Sequence, residues 1–143
     1  MSFGIILAAH GNVAPAMLEA AEMLAGKQDR VRTIALTADK PVDAFEAEFA
    51  SAYDELAAAY DHVVAVCDIY GGSPFNVISR AKLSGRDMTA FTGLNLPVLI
   101  ELIFNAELTP DEVRAHAASA NADAFKEIVV QLAATEDEDD LDL

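Results

Sequence analysis

Residues 3–9 (FGIILAA) and 63–67 (VVAVC) are almost unbroken apolar runs, and each stops at a polar residue, His10 in one case and Asp68 in the other. Continuous apolar strands of this length are buried on both faces, which marks a parallel sheet covered by helices. The intervening segments agree. A helix is expected over 13–25, with Met17, Leu18, Ala21 and Leu24 on one side, Asn12 as its cap and Gly26 as its stop. Residues 31–36 alternate and are more polar, as in a strand nearer an edge. Pro41 opens a helix to about residue 60, whose Phe45, Phe49, Ala52, Leu56 and Tyr60 recur at helical spacing and should face the core. A helix from Ser73 to near Gly85, a strand over 88–92, and short helices over 97–105 and 110–121 follow. Residues 125–132, with Ile128, Val129 and Val130 at their centre, read as a last strand that needs an edge to pair with.

Regular alternation of strand and helix implies an α/β fold, an open doubly wound and mainly parallel sheet with helices on both faces. Right-handed crossovers limit the strand order. With the two most apolar strands in the middle, the order 2-1-3-4 satisfies both constraints. Winding then reverses between the first and third strands. Ligand sites of open sheets lie at that switch point, beyond the carboxyl ends of the strands.

The 143 residues make one domain, expected to span 1–133. Residues 134–143 carry six acidic side chains and read as a solvated, mobile tail. The formal net charge is −15, which disfavours binding to nucleic acid or to anionic membrane surfaces. A single cysteine excludes a disulfide framework and a cysteine-cluster zinc site, and no metal site is expected. There is no apolar run long enough to span a bilayer and no basic stretch ahead of the first apolar run. A cytoplasmic protein without a cofactor is the expectation.

His10 and Asp68 fall at the ends of the two expected central strands, where they can come within hydrogen-bond reach of each other. A carboxylate that accepts from one imidazole N–H fixes the tautomer and frees the other nitrogen as a nucleophile. After Asp68 the chain reads Ile69, Tyr70, Gly71, Gly72, Ser73, Pro74, Phe75, Asn76. The glycines admit close backbone approach, Ser73 is placed to cap a helix, and Pro74 suits its first turn. Free amides and the dipole at such a helix start favour an anion such as phosphate. Nucleophile, orienting carboxylate and anion cradle together suit reversible phosphoryl transfer. The residues alone leave plainer readings open: a histidine after a strand, a Gly-Gly-Ser-Pro turn without ligand, and Asp68 as a turn or capping residue. Arg80 reads either as the flank of a partner site or as a surface ion pair. Cys67 reads as a small core residue, and His62 and His116 as surface residues.

The same residues resemble the enzyme IIA domain of the mannose–fructose–sorbose family of the bacterial phosphoenolpyruvate:sugar phosphotransferase system. The likeness lies in the strand into His10-Gly11, the helix with Ala21, Glu22, Met23, Leu24 and Gly26, and the run from Asp68 to Asn76. It extends to Gly93, Leu94, Asn95, Leu96 and Pro97 followed by Glu101, and covers roughly residues 3–132. Gly71-Gly72-Ser73-Pro74-Phe75-Asn76 is its most specific block. Tyr70 stands where many relatives carry tryptophan, and Asn12 departs from the residues common after the His-Gly pair.

The resemblance implies that His10 accepts a phosphoryl group from the phosphocarrier HPr and passes it to a IIB component. Asp68 would orient His10, and Gly72 and Ser73 would hold the phosphate. Tyr70, Phe75 and Arg80 are candidates for the partner surface. A homodimer that exchanges its last strand is also implied. The acidic chain end implies a IIB partner on a separate polypeptide. Three other roles share some of these features: a regulatory phosphohistidine sensor, the related subunit that feeds dihydroxyacetone kinase, and a non-enzymatic anion-binding module. The Gly-Gly-Ser-Pro-Phe-Asn block disfavours the kinase subunit.

Overall fold

The computed structural model describes residues 1–132. Four strands, β1 (Phe3–His10), β2 (Val31–Leu36), β3 (His62–Cys67) and β4 (Thr89–Thr92), alternate with helices. These are α1 (Val13–Ala25), α2 (Val42–Ala59), α3 (Ser73–Leu83), α4 (Leu96–Phe104) and α5 (Pro110–Ala122). The strands form one parallel sheet in the order β2-β1-β3-β4.

The apolar runs explain the centre of that sheet. Every β1 residue from Phe3 to Ala9 is buried, as is β3 from Val63 to Cys67. Strand period two divides their side chains between two cores. Phe3, Ile5, Leu7, Ala9, Val64 and Val66 pack with residues of α1, α4 and α5. Ile6, Ala8, Val63, Ala65 and Cys67 pack on the other face with residues of α2 and α3. Gly4 lets α2 sit close to β1: a Cβ there would lie 2.8 Å from Leu56 Cδ2. Arg30 braces the opposite layer. It donates to the carbonyls of Phe3 at 3.0 Å and of Leu102 and Ile103 at 2.8 Å, and its guanidinium lies over the Phe3 ring.

The structure departs from several expectations. Within the single chain residues 125–132 do not pair as a strand, which leaves Phe125, Ile128 and Leu132 99%, 90% and 90% exposed. Their composition suits a strand, but among the described residues no ladder partner meets them. Leu24 is exposed, because the core-facing side of α1 runs through Ala14, Met17, Leu18, Ala21 and Ala25 and passes Leu24 by. Asn12 occupies the cap position of α1 without a side-chain bond. The cap of α3 is Gly72, so Ser73 is the first helical residue. The acidic segment 134–143 lies outside the described residues.

Candidate functional site

The C-terminal ends of β1 and β3 deliver His10 and Asp68 to one spot. Asp68 Oδ2 accepts from the His10 backbone N–H at 3.0 Å and faces ring Nδ1 at 2.9 Å. Its other oxygen accepts from the Ile69 N–H at 3.1 Å. Burial pushes the Asp68 carboxyl up, but the His10 backbone N–H, ring hydrogen bond and ring charge outweigh it. The carboxyl therefore stays below its ordinary range and ionised, an acceptor only. In the neutral ring Nδ1 is the donor in this pair, and Nε2 keeps its lone pair. The His10 ring is 45% exposed and open to a reactant, whereas the Asp68 side chain is 16% exposed.

Gly72 closes one side of the ring. A Cβ at Gly72 would lie 3.3 Å from His10 Cε1 and 3.6 Å from Nε2. Its φ of +86° is a further reason for glycine. The first intrahelical bond of α3 runs from the Asn76 N–H to the Gly72 carbonyl at 3.0 Å. The Ser73 and Phe75 amides precede it, and the helix leaves them free. Pro74 has no N–H to leave free. The open nitrogen thus stands beside a helix start with unspent donors, where an anion is stabilised. Tyr70 is 81% exposed, and its ring centroid is 4.5 Å from that of Phe75.

The remaining sequence candidates separate. Arg80 forms a two-pronged pair with Glu46 of α2, at 3.0 and 3.1 Å, which is the ion-pair reading. Cys67 is buried, and burial followed by the charge of Asp68 pushes its thiol up to about 11. It is an inert core thiol. His62 is not a surface residue. It stacks on Phe3, and its Nε2 lies 2.7 Å from the Leu108 carbonyl. His116 is half-buried, with Nδ1 2.7 Å from Glu101. Both histidines are spent on packing between elements.

The turn after β4 enters the site although only its family likeness drew attention to it. The Gly93 N–H donates to the Asp68 carbonyl at 3.2 Å, and the Leu94 N–H to the Cys67 carbonyl at 3.0 Å. Asn95 ahead of Pro97 is the readable signal, an asparagine cap followed by a first-turn proline.

The model of the family described as "PTS system fructose IIA component" matches residues 4–122 of the chain. The chain belongs to this family. This PTS IIA component is 28% identical over 128 residues to the mannose-specific EIIAB component of Escherichia coli (strain K12). The match covers 88% of the chain, which spans only 39% of that relative. A solved PTS IIA protein associated with the fucose utilization operon of Streptococcus pneumoniae is 33% identical, with a TM-score of 0.79. That superposition covers 88% of this chain and 93% of the other. A mannose/sorbose-specific IIA subunit from Enterococcus faecalis shares the fold at 24% identity, with a TM-score of 0.81 over 94% of this chain and all (100%) of the other. The family is that of the IIA components of the sugar phosphotransferase system. Among its described residues no helix is long and apolar enough to cross a membrane.

Proposed function

We propose that this chain carries a phosphoryl group on Nε2 of His10, accepting it from phospho-HPr and giving it to a IIB component. The observation that supports this best is the contact of Asp68 Oδ2 with Nδ1, which leaves Nε2 free beside Gly72 and the start of α3. In the forward step the Nε2 lone pair attacks phosphorus. The new N–P bond forms as the N–P bond to the donor histidine breaks, and that electron pair returns to the donor. Nδ1 keeps its proton toward Asp68, which stabilises the charge that develops on the ring. The unspent amides of α3 and Ser73 hold the phosphoryl oxygens. Positioning and electrostatics supply the catalysis, with no ATP and no metal. Tyr70, exposed and packed against the half-buried Phe75, offers an aromatic surface to the partner proteins.

The setting follows from the same reading. The protein works in the cytoplasm as a domain of residues 1–133, with the acidic residues 134–143 appended. Residues 125–132 pair with the β4 edge of a second copy in a homodimer.

Intact-mass analysis after incubation with enzyme I, HPr and phosphoenolpyruvate tests the chemistry. Wild type should gain one acid-labile phosphoryl group, and His10→Ala none while staying folded. Phosphate retained on His10→Ala would remove the proposal.

A further inference from the structure

The dyad is held from behind. Both peptide carbonyls at the end of β3, those of Cys67 and Asp68, accept from the turn at Gly93 and Leu94. That turn extends the β3–β4 ladder past its last register pair, Cys67 with Thr92. Gly93 adopts a φ of +88°, which a simple extended strand would not hold. One side chain fixes this geometry. Asn95 Nδ2 donates to the Gly93 carbonyl at 3.0 Å and to Asn121 Oδ1 at 3.0 Å. Asn95 Oδ1 accepts from the Val98 N–H at 3.0 Å and so caps α4. Both N–H donors and one oxygen lone pair of this half-buried amide are therefore committed to three elements: the turn, α4 and the end of α5.

Resting on the phosphocarrier reading of His10, we propose that Asn95 is a positioning residue for the phosphoryl-transfer site, with Asn121 as its anchor. The connection is continuous. Asn121 holds Asn95, Asn95 holds the Gly93 peptide, the Gly93 N–H holds the Asp68 carbonyl, and Asp68 Oδ2 holds His10 Nδ1. The direction of the Asp68 carboxylate depends on its own backbone, because only Cα and Cβ separate the carboxyl group from the peptide carbonyl. A turn that rotates away releases that plane and loosens the bond that sets the His10 tautomer. Nucleophilic attack depends on ring orientation, and misplacement on the order of 1 Å costs up to about 100-fold in rate.

Two substitutions separate this role from helix capping. Asn95→Asp is isosteric and keeps an oxygen for the Val98 N–H, so the cap survives. It removes both donors and sets a carboxylate oxygen against the Gly93 carbonyl. Asn121→Ala removes only the outer anchor and lies outside the turn. Single-turnover transfer from phospho-HPr should slow roughly tenfold in Asn95→Asp and about two- to threefold in Asn121→Ala. Asn95→Ser, which also retains a cap oxygen, should not rescue the rate. The ring 15N shifts of unphosphorylated His10 should move from one dominant Nδ1–H tautomer toward a mixture in Asn95→Asp. Wild-type rates together with wild-type His10 shifts in both variants would overturn the proposal and leave Asn95 a helix cap. If Asn95→Asp fails to fold, the rate and shifts of Asn121→Ala decide by themselves. The tautomer is read without any phosphoryl donor, so failure of wild type to accept phosphate would count against the phosphocarrier reading and not against this one.

Discussion

At the scale of single residues, the site is an arrangement of two side chains in which one carries a pH signature. Asp68 is ionised below its ordinary range because, against the cost of burial, the His10 backbone N–H, ring hydrogen bond and ring charge favour the carboxylate. A group depressed on folding contributes its full stability above its unfolded pKa, about 3.9 for aspartate, and loses it as pH falls through the lower folded value. Asp68→Asn should therefore be less stable than wild type at pH 7. The difference should hold above the unfolded carboxylate's pKa and shrink as pH falls below about 3.9 toward the lower folded value. Urea unfolding of both proteins across that range measures it. A gap of constant size down to pH 3 would mean that the charge of Asp68 contributes nothing that an amide does not. His10 and Asp68 were legible in the sequence because each ends an apolar run at the switch point. Gly72 was legible as a residue that admits close approach, but its contact with the His10 ring depends on how the β3–α3 turn folds back, which no local pattern encodes.

Elements were legible where they bury a regular face. The order β2-β1-β3-β4 follows from ranking strands by apolar content, and the buried stripe of Phe45, Phe49, Ala52 and Leu56 from helical spacing alone. Braces between elements were not legible, since their partners are distant in sequence. His62 meets Leu108, His116 meets Glu101, and Arg30 spans from β1 to the end of α4. Arg30 answers a general need: the last carbonyls of a helix lack intrahelical partners, and a cation there also suits the helix dipole. Leu102 and Ile103 supply two such carbonyls. Arg30→Met keeps much of the aliphatic volume and strands three carbonyl acceptors. It should cost about 2–3 kcal/mol, in the range for hydrogen bonds to a charged group. Thermal and urea unfolding would show it, while phosphoryl acceptance by the folded fraction stays at the wild-type rate. A loss below 0.5 kcal/mol, about the bottom of the range for any net hydrogen bond, would mean that water replaces the guanidinium at those carbonyls.

For the whole molecule, the open side of the sheet and the apolar segment 125–132 form one problem. β4 is an outer strand, and among the described residues none pairs with its free edge. Grooves of about 480 and 180 Å³ flank that edge on its two faces, and Phe91 and Thr92 line both. A strand added there would send alternate side chains into the two grooves. Residues 125–132 have that form, with Ile128, Val130 and Leu132 in one set and Val129 in the other. Unpaired strand edges and exposed apolar runs invite association, so a second copy is the partner whose chemistry matches. The charge of −15 opposes this, because two copies repel each other at long range. Salt shortens that repulsion, to about 10 Å at 0.1 M, and leaves ladder bonds and apolar burial in place. The dimer should accordingly tighten as salt rises from about 0.02 to 0.2 M, opposite to an interface held by ion pairs. Sedimentation equilibrium at both salt concentrations should show this for wild type, and Val130→Asp should be monomeric in each. A wild type that stays monomeric at micromolar concentration in both would leave the β4 edge without a partner of its own kind. A dimer that loosens with salt would place the interface on charged surfaces away from β4.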